Sequence, residues 1–424
     1  MAYAATAGEL PSSANAPPGI VALQRALVWL AGASGAIVFV EPSPYELVTL
    51  LATVVFIATG ARLRLLFMPL LLLLALLNIG YCIGAISLFD DTIVASWIAT
   101  SWYMALTVIF FALVVSEDTT ARLDMLRRGM IVGATIASLA AIAGYFNLIP
   151  GEYDLLTLYG RARGTFKDPN VLGAFLILPS LFVLQNIVTE RVGKAFRSTI
   201  ALGLMALAIL LAFSRAAWGG LILTAAFMLA LMVLTSRSNA ERSRIVVVTM
   251  VAALVAALLI AVLLSFDQVS EMFQQRASLD QSYDEGRFGR FGRHILGADM
   301  ALDLPFGIGP LQFHHYFPED THNSYLNAFM SGGWLSGVCY PALVFLTVIL
   351  GFRHVFAPVP WQRTYIAIFA AFLGTVGESF IIDTDHWRHF FLMLGTMWGM
   401  FAAAQTYRKT ADRPRATADQ PASA

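Results

Sequence analysis

Apolar runs long enough to cross a lipid bilayer recur along almost the whole of this 424-residue sequence. The hydrocarbon core of a bilayer is about 30 Å thick, so a helix crosses it with roughly 20 apolar residues. Charged residues account for only 13 % of the chain, whereas a soluble domain carries about 25 %. The sequence therefore predicts an all-α, polytopic membrane protein.

The apolar runs predict about twelve transmembrane helices within one membrane domain, residues 20–405. The predicted spans are residues 21–40, 45–60, 65–88, 93–115, 129–148, 170–188, 199–213, 216–234, 245–265, 324–350, 364–382 and 389–405. The seventh and eighth spans are short and close together, so a re-entrant segment is the alternative for one of them. Residues 1–19 and 406–424 are predicted to be disordered cytoplasmic tails.

The distribution of positive charge predicts the topology. With the N-terminus in the cytoplasm, most of the 27 Lys and Arg residues fall in connections on the inner side, as the positive-inside rule requires. The prediction is therefore N-in and C-in, with a long loop on the outer side at residues 266–322. Nearly all of the exceptions lie in that loop, in residues 151–170 and at Arg215. An anionic ligand at the outer face is the simplest reason for cations there.

Arg215 has the most costly setting of these cations. It follows Ser214 between two apolar runs, and an arginine at the centre of a bilayer costs about 2.5–3.5 kcal/mol on insertion scales. One interpretation is a snorkelling anchor beside Trp218. The other is a fixed guanidinium that faces an outer cavity and holds a phosphate through two hydrogen bonds.

The segment from Tyr159 to Asn170 contains Arg163 and Lys167 among flexible glycines. Its end, Asp168-Pro169-Asn170, is typical of a turn that leads into a helix. A helix that begins near Asn170 would turn its N-terminal amides outward, where they favour an anion. The alternative is an ordinary basic loop that precedes a capped helix.

The long loop contains a predicted amphipathic helix. At 100° per residue, Arg287, Arg290, Arg293 and His294 share one face. The opposite face is apolar and carries Phe288, Phe291, Ile295 and Leu302. An interfacial helix that lies on lipid headgroups shows the same pattern, so both interpretations stand.

His322 lies where the long loop meets the next apolar helix, which is predicted to begin near Ser324. A histidine at such a junction can titrate near neutral pH and act as a base. The alternatives are a hydrogen-bonded interfacial histidine without function, or a metal ligand. Metal binding is disfavoured because the neighbouring His and acidic residues lack the helical spacing of a metal site. A further group of titratable residues lies at the outer end of the eleventh span: Glu378, Asp383, Asp385, His386 and His389. Solvated loop charges are one interpretation of the group, and acids that orient a base or bind sugar hydroxyls are the other.

Four pieces of the sequence together resemble the O-antigen ligase and polymerase family of bacterial envelope glycosyltransferases. They are Arg163-Gly164-Thr165-Phe166 with Pro169-Asn170-Val171-Leu172-Gly173, Ser214-Arg215, the arginine-rich helix before Pro305-Phe306-Gly307-Ile308-Gly309, and His322-Asn323-Ser324-Tyr325-Leu326 with Gly333 and Gly337. The pieces occur in the order of the family, and the resemblance covers about residues 20–405.

The resemblance implies an inverting glycosyltransferase of the bacterial inner membrane, with its active site on the periplasmic side. The implied enzyme needs no metal or cofactor and takes a polyprenyl-diphosphate-linked glycan as donor. A ligase transfers the glycan to a lipid A-core sugar and a polymerase to another lipid-linked repeat, and both remain open. The implied partners are these substrates and the lipid bilayer, with no nucleic acid.

The resemblance also implies roles for individual residues. Arg215 and His322 match catalytic positions of the family, and Arg290 and Arg293 share the match to its loop arginine, where this chain has a third candidate in Arg287. The remaining predicted substrate-binding residues are Arg163, Lys167, Asn170 and Asn323. A twelve-helix transporter or lipid flippase is the alternative from another class. It is disfavoured because the unusual charges lie at one face rather than at mid-membrane.

Overall fold

The computed structural model describes residues 17–190, 192–277 and 286–411, most of which lie in helices. In chain order the α-helices are α1 (Pro18–Ser34), α2 (Pro44–Ala58), α3 (Met68–Gly84), α4 (Thr92–Val115), α5 (Thr119–Tyr145), α6 (Tyr153–Leu156), α7 (Pro169–Thr189), α8 (Val192–Leu211), α9 (Arg215–Thr235), α10 (Asn239–Leu263), α11 (Asp267–Ala277), α12 (Arg290–Leu302), α13 (Ser324–Val355), α14 (Gln362–Glu378) and α15 (Arg388–Ala411). Two short strands, β1 (Thr157–Leu158) and β2 (Arg161–Ala162), form an antiparallel hairpin.

A helix lies over each of the twelve predicted spans. Within the described residues, eight helices are long and apolar enough to cross a membrane. The class of an all-α membrane protein is therefore confirmed, while the number of twelve crossings stays a prediction. α8 and α9 are both among the eight, so the structure gives no reason to treat either as re-entrant.

Only residues 17–19 and 406–411 of the two predicted tails belong to the described residues. α1 begins at Pro18, and α15 runs to Ala411, so residues 406–411 are helical rather than part of a disordered tail. Residues 1–16 and 412–424 lie outside the described ranges, as do residues 278–285 of the long loop. The proposed boundary of the C-terminal tail was therefore placed too early, because the last helix continues past its apolar stretch into Arg408 and Lys409.

Connections that were predicted to lie outside contact one another at one end of the helical bundle, which we call the His322 end. The N–H of Val38 donates to the carbonyl of Thr165 at 2.8 Å, and the hydroxyl of Thr321 donates to Asp383 at 2.8 Å. These contacts join the connections after α1, α5, α12 and α14. Each contact therefore joins two connections that the sequence predicted on the same side of the membrane.

Connections that were predicted to lie inside contact one another at the opposite end, the Arg64 end. Arg64 pairs with Glu117 at 3.5 Å and donates to the hydroxyl of Thr406 at 3.2 Å. Arg25 pairs with Asp118 at 3.7 Å. Which end faces the cytoplasm remains the prediction of the positive-inside rule.

α13 is broken in its middle, although the sequence predicted one continuous span there. Gly332 and Gly333 leave helical geometry, with φ of 63° at Gly333, a conformation that side chains with a Cβ rarely adopt. The loop after α12 packs into the break. The backbone N–H of Trp334 donates to the carbonyl of Pro305 at 3.0 Å, and the backbone N–H of Ile308 donates to the carbonyl of Met330 at 2.7 Å. These bonds satisfy backbone groups that the break would otherwise leave unpaired in an apolar region.

α12 is amphipathic, as the sequence predicted. Arg293, Gly297 and Ala301 are buried on the face that packs on α13. Ile295 and Leu302 are 73 % and 69 % exposed on the other face. An apolar face of this kind on a helix between two spans suits the edge of the lipid phase, with the basic face held against the protein.

Candidate functional site

The site is built around the N-terminus of α13, where His322 precedes the N-cap residue Asn323. The side chain of Asn323 accepts hydrogen bonds from Tyr325 and Leu326, each at 3.1 Å, which satisfies two amides that a helix start leaves free. His322 has a φ of 45°, unusual for a residue with a Cβ. Asn323, predicted to bind substrate, therefore has a capping function in the structure.

Asp383, in the connection after α14, holds this turn in place. Its carboxylate accepts hydrogen bonds from the hydroxyl of Thr321 at 2.8 Å and from the backbone N–H groups of His322 at 3.1 Å and Asn323 at 2.9 Å. Burial raises the pKa of Asp383, and the neighbouring Asp385 carboxylate raises it further, while the Thr321 hydroxyl lowers it. One carboxylate thus fixes three consecutive residues, which explains how the unusual backbone at His322 is maintained.

The imidazole of His322 lies between two carboxylates. Its Nδ1 is 3.9 Å from Asp383 Oδ2, and its Nε2 is 4.0 Å from Glu319 Oε2. Burial lowers the pKa of His322 and the positive charge of Arg290 lowers it further, whereas Glu319 raises it. The net shift favours the neutral imidazole, which is the form that accepts a proton.

Arg293 ties α12 to the loop before His322. The side chain is only 2 % exposed, and it pairs with Glu319 at 2.7 Å and donates to the carbonyl of Phe288 at 3.1 Å. His294 extends the connection, since its Nε2 lies 2.9 Å from the carbonyl oxygen of Thr321. These contacts make Arg293 an anchor that brings α12 beside His322.

Arg290 and Arg287 differ from Arg293 in their surroundings. Arg290, the first residue of α12, is half-buried, and its charge is close enough to lower the pKa values of both His322 and His294. Arg287 is exposed, and its guanidinium lies 5.7 Å from the ring centroid of Phe288. Of the three arginines that the sequence left open, Arg290 is the one whose charge acts on His322 from a partly accessible position.

Arg215 begins α9, whose N-cap Ser214 accepts a hydrogen bond from Ala217. α9 and α14 pack side by side, with Thr224 against Gly374 and Gly220 beside the Glu378 carboxylate. The step from Thr224 back to Gly220 along α9 matches the step from Gly374 forward to Glu378 along α14, so the two helices run antiparallel. One turn further in the same register, Arg215 is level with the connection after α14. Arg215 and His322 are therefore at the same end of the bundle.

The N-termini of α7 and α9 meet at this end. A Cβ on Gly173 would lie 2.6 Å from the Cβ of Ala217, so only glycine permits this approach. α7 begins at Pro169 with Asp168 as its N-cap, which confirms the helix start predicted there. Asn170 accepts a hydrogen bond from Arg161 at 2.8 Å. The side-chain oxygen of Asn170, which was predicted to bind substrate, therefore binds Arg161 of the preceding loop.

Arg161 and Arg163 bind the protein's own backbone. Arg163 donates to the carbonyls of Asp154 at 2.8 Å, Leu155 at 3.1 Å and Lys167 at 3.3 Å. Arg161 is buried and donates to the carbonyl of Ala212 at 2.8 Å, directly before the turn that carries Arg215. The loop arginine predicted to bind diphosphate therefore braces its own loop, and its neighbour positions the start of α9.

Lys167 forms an exposed ion pair with Glu41 at 2.7 Å, and Glu41 also lies 3.6 Å from Arg388. The pair is about half exposed on both sides, so it contributes little to stability. Lys167 is thus at the His322 end with the other predicted residues, on the rim of the bundle.

Sequence reasoning underestimated Asp383 and Glu319. Asp383 was grouped with acidic residues whose simplest interpretation was solvation, yet it bonds the His322 turn. Glu319 is one of the acidic residues near His322 to which the sequence assigned no role, and it pairs with Arg293 and lies 4.0 Å from the imidazole. The sequence signal that could have identified both residues was the number of acidic residues in the connections before α13 and after α14, which were predicted on the same side of the membrane. Among the residues that the structure describes, no group of three or more His, Cys, Asp and Glu side chains is arranged to hold a metal ion.

The fold and this cluster define the class first: a multi-pass helical membrane protein with arginines, carboxylates and a histidine gathered at one end of its bundle. Residues 200–340 match the family model described as O-antigen ligase. The match confirms the resemblance to the O-antigen ligase and polymerase family over this segment, which contains Arg215, α12 and His322. The Arg163 piece precedes the matched residues. A search of curated proteins found no match.

Proposed function

We propose that this protein is an inverting, metal-independent glycosyltransferase of the O-antigen ligase type, acting at the periplasmic face of the bacterial inner membrane. It moves a glycan from a polyprenyl-diphosphate donor to an acceptor hydroxyl. The observation that carries the proposal is the environment of His322, an imidazole beside Asp383 and the charge of Arg290. His322 and Arg290 lie within the segment that matches the O-antigen ligase family, and Asp383 follows that segment.

In the proposed reaction the acceptor oxygen attacks the anomeric carbon of the donor sugar. The bond from that carbon to the diphosphate oxygen breaks, and its electron pair leaves with the diphosphate. The hydroxyl proton of the acceptor moves to His322, which later releases it to solvent. Each ring nitrogen of His322 lies near a carboxylate, Nδ1 at 3.9 Å from Asp383 and Nε2 at 4.0 Å from Glu319, and these charges stabilise the imidazolium once the proton has arrived. General-base help of this kind is typically worth about 10²–10⁴-fold in rate, and attack opposite the leaving group inverts the anomeric centre.

The arginines act on the leaving group. Negative charge develops on the diphosphate as the bond breaks, and fixed cations aimed at that charge stabilise the transition state more than the ground state. Arg290 is supported for this role by its effect on the pKa of His322. Arg215 is supported by its position at the start of α9, where the helix N-terminus also favours an anion.

The direct test is the envelope polysaccharide profile of a deletion strain complemented with variants of this protein. We expect His322→Ala to lose the polysaccharide. The control is His314→Ala, which changes an exposed histidine of the same loop whose ring lies 4.1 Å from that of His315, and which should retain the polysaccharide. Full restoration by His322→Ala, with equal protein levels in the membrane, would exclude His322 as the base.

A second variant tests the diphosphate contact. Arg215→Lys keeps the charge but replaces a planar fork by a single ammonium group, which cannot hold two phosphate oxygens in the same way. We expect little activity from it in a glycan-transfer assay. A rate equal to that of the unmodified protein would remove Arg215 from the leaving-group site.

The acceptor decides between the two enzymes of the family. Transfer of label from the polyprenyl donor to a lipid A-core acceptor defines a ligase, and growth of a repeat ladder on the polyprenyl lipid defines a polymerase. Accumulation of substrate inside vesicles, unaffected by His322→Ala, would instead indicate the transporter alternative.

A further inference from the structure

A cavity of about 440 Å³ opens at the His322 end on the side of Asp383 that faces α4. Its wall combines residues of α4, the first turns of α13, the connection after α14 and the loop at Gly309–Phe313. That loop follows Ile308, which bonds to α13 beside its break, and Met330 and Ser331 next to the break also line the cavity. Its size is within the range of about 300–1,000 Å³ that is usual for ligand pockets.

The charges in this wall are negative. It includes the carboxylates of Glu41, Asp320, Asp383 and Asp385, and its described lining residues include no Arg or Lys. Glu41 is paired with Lys167 and Arg388 at the rim, so the negative charge of the wall comes from its aspartates. Such a wall favours a diphosphate less than Arg215 and Arg290 do. The two sides of the His322 turn therefore differ in the ligands that they can hold.

The remaining groups of the wall suit a sugar. Trp97 offers an indole ring, fixed by Tyr81 at 4.9 Å and by His386 at 4.2 Å between ring centroids. Asn327 donates to Asp385 at 2.7 Å, so the buried carboxylate has a fixed orientation. An aromatic face packs against the C–H face of a pyranose ring, and oriented carboxylates and amides bind its hydroxyls.

We propose that this cavity binds the sugar of the glycan acceptor, an uncharged hexose or an amino sugar. The proposal rests on the proposed transfer reaction and specifies its acceptor side. Inversion requires that the nucleophile and the leaving group occupy opposite sides of the anomeric carbon. With the diphosphate on the arginine side, the acceptor enters from the carboxylate side, and Asp383 and Thr321 border both the cavity and the His322 turn.

The test compares two tryptophans of the same helix. Trp97→Leu removes the ring from the cavity, whereas Trp102→Leu changes an exposed tryptophan that contacts Cys82 outside the lining. In a purified transfer assay we expect Trp97→Leu to raise the KM for the acceptor about tenfold or more, equivalent to about 1.4 kcal/mol, with an unchanged KM for the donor. Trp97→Phe restores part of the affinity if the variant is folded.

A measurement without donor separates this inference from the reaction itself. Saturation-transfer NMR with a panel of free hexoses and hexosamines should detect binding to the unmodified protein and to Trp102→Leu, and loss of binding in Trp97→Leu. An unchanged acceptor KM in Trp97→Leu, or a raised donor KM alone, would overturn the acceptor site. Sugar binding that persists in a protein without transfer activity would contradict the proposed function and leave the cavity a sugar site.

Discussion

Two arginine-bearing segments lie at the same end of the bundle and use their guanidinium groups differently. In the β1–β2 segment, Arg161 and Arg163 donate to backbone carbonyls of the protein. In α12, Arg293 pairs with a carboxylate, and Arg290 acts on the imidazole of His322. The difference teaches that the guanidinium groups gathered at one end have distinct functions: some donate to loop carbonyls, and others lie close enough to His322 to change its pKa.

The largest expected effect is a difference in kcat/KM between variants of Arg290 and Arg163. Arg290→Gln should lower kcat/KM about 10²–10³-fold, as does the loss of one preorganised donor in other enzymes. Arg163→Gln should change the rate little, because its partners are carbonyls of its own loop. Initial rates with a polyprenyl-diphosphate donor, normalised to folded protein, measure both. The reverse ranking would mean that the β1–β2 segment, rather than α12, holds the diphosphate.

The next effect concerns stability. Glu319→Leu leaves the buried guanidinium of Arg293 without its carboxylate. We expect a loss of about 2–3 kcal/mol, less than the 3–5 of a fully buried pair since Glu319 is itself half exposed. Glu41→Gln, which breaks the exposed pair with Lys167, should cost under about 1 kcal/mol. Thermal unfolding in detergent compares the two variants. If both lost the same stability, Arg293 would not be an anchor.

The smallest effect is a shift in pH dependence. Because burial and the charge of Arg290 lower the pKa of His322, the base should stay neutral down to a pH below its ordinary value of about 6.5. Removal of the charge in Arg290→Gln stabilises the imidazolium, so the pKa rises. The acidic limb of the rate profile should therefore move to higher pH, while in Arg163→Gln it stays in place. A profile of kcat/KM against pH that does not move in Arg290→Gln would separate Arg290 from His322.

The helices of this protein were largely predictable from the sequence. Long apolar runs indicate spans because backbone groups in lipid must bond within their own helix, and each predicted span coincides with a helix. The start of α7 was also predictable, since Asp168-Pro169 carries its own capping signal. The break at Gly332–Gly333 was not, because its freed backbone groups are satisfied by Pro305 and Ile308 from another part of the chain.

The candidate site was predictable in its composition and not in its arrangement. Local sequence indicated an outward histidine at the start of a helix and cations on one face, since helix starts and charge bias are properties of short segments. It did not indicate that the backbone N–H of His322 donates a hydrogen bond to Asp383, which lies 61 positions further along the chain.

What the sequence determined by itself is therefore the class of the protein, the approximate position of its helices and the pool of residues available to a site. Tertiary structure alone decided which arginine braces a loop, which lies near His322, and where a cavity of opposite charge opens. The physical reason is range: hydrophobicity and capping act over one segment, whereas hydrogen bonds and ion pairs depend on which segments pack together.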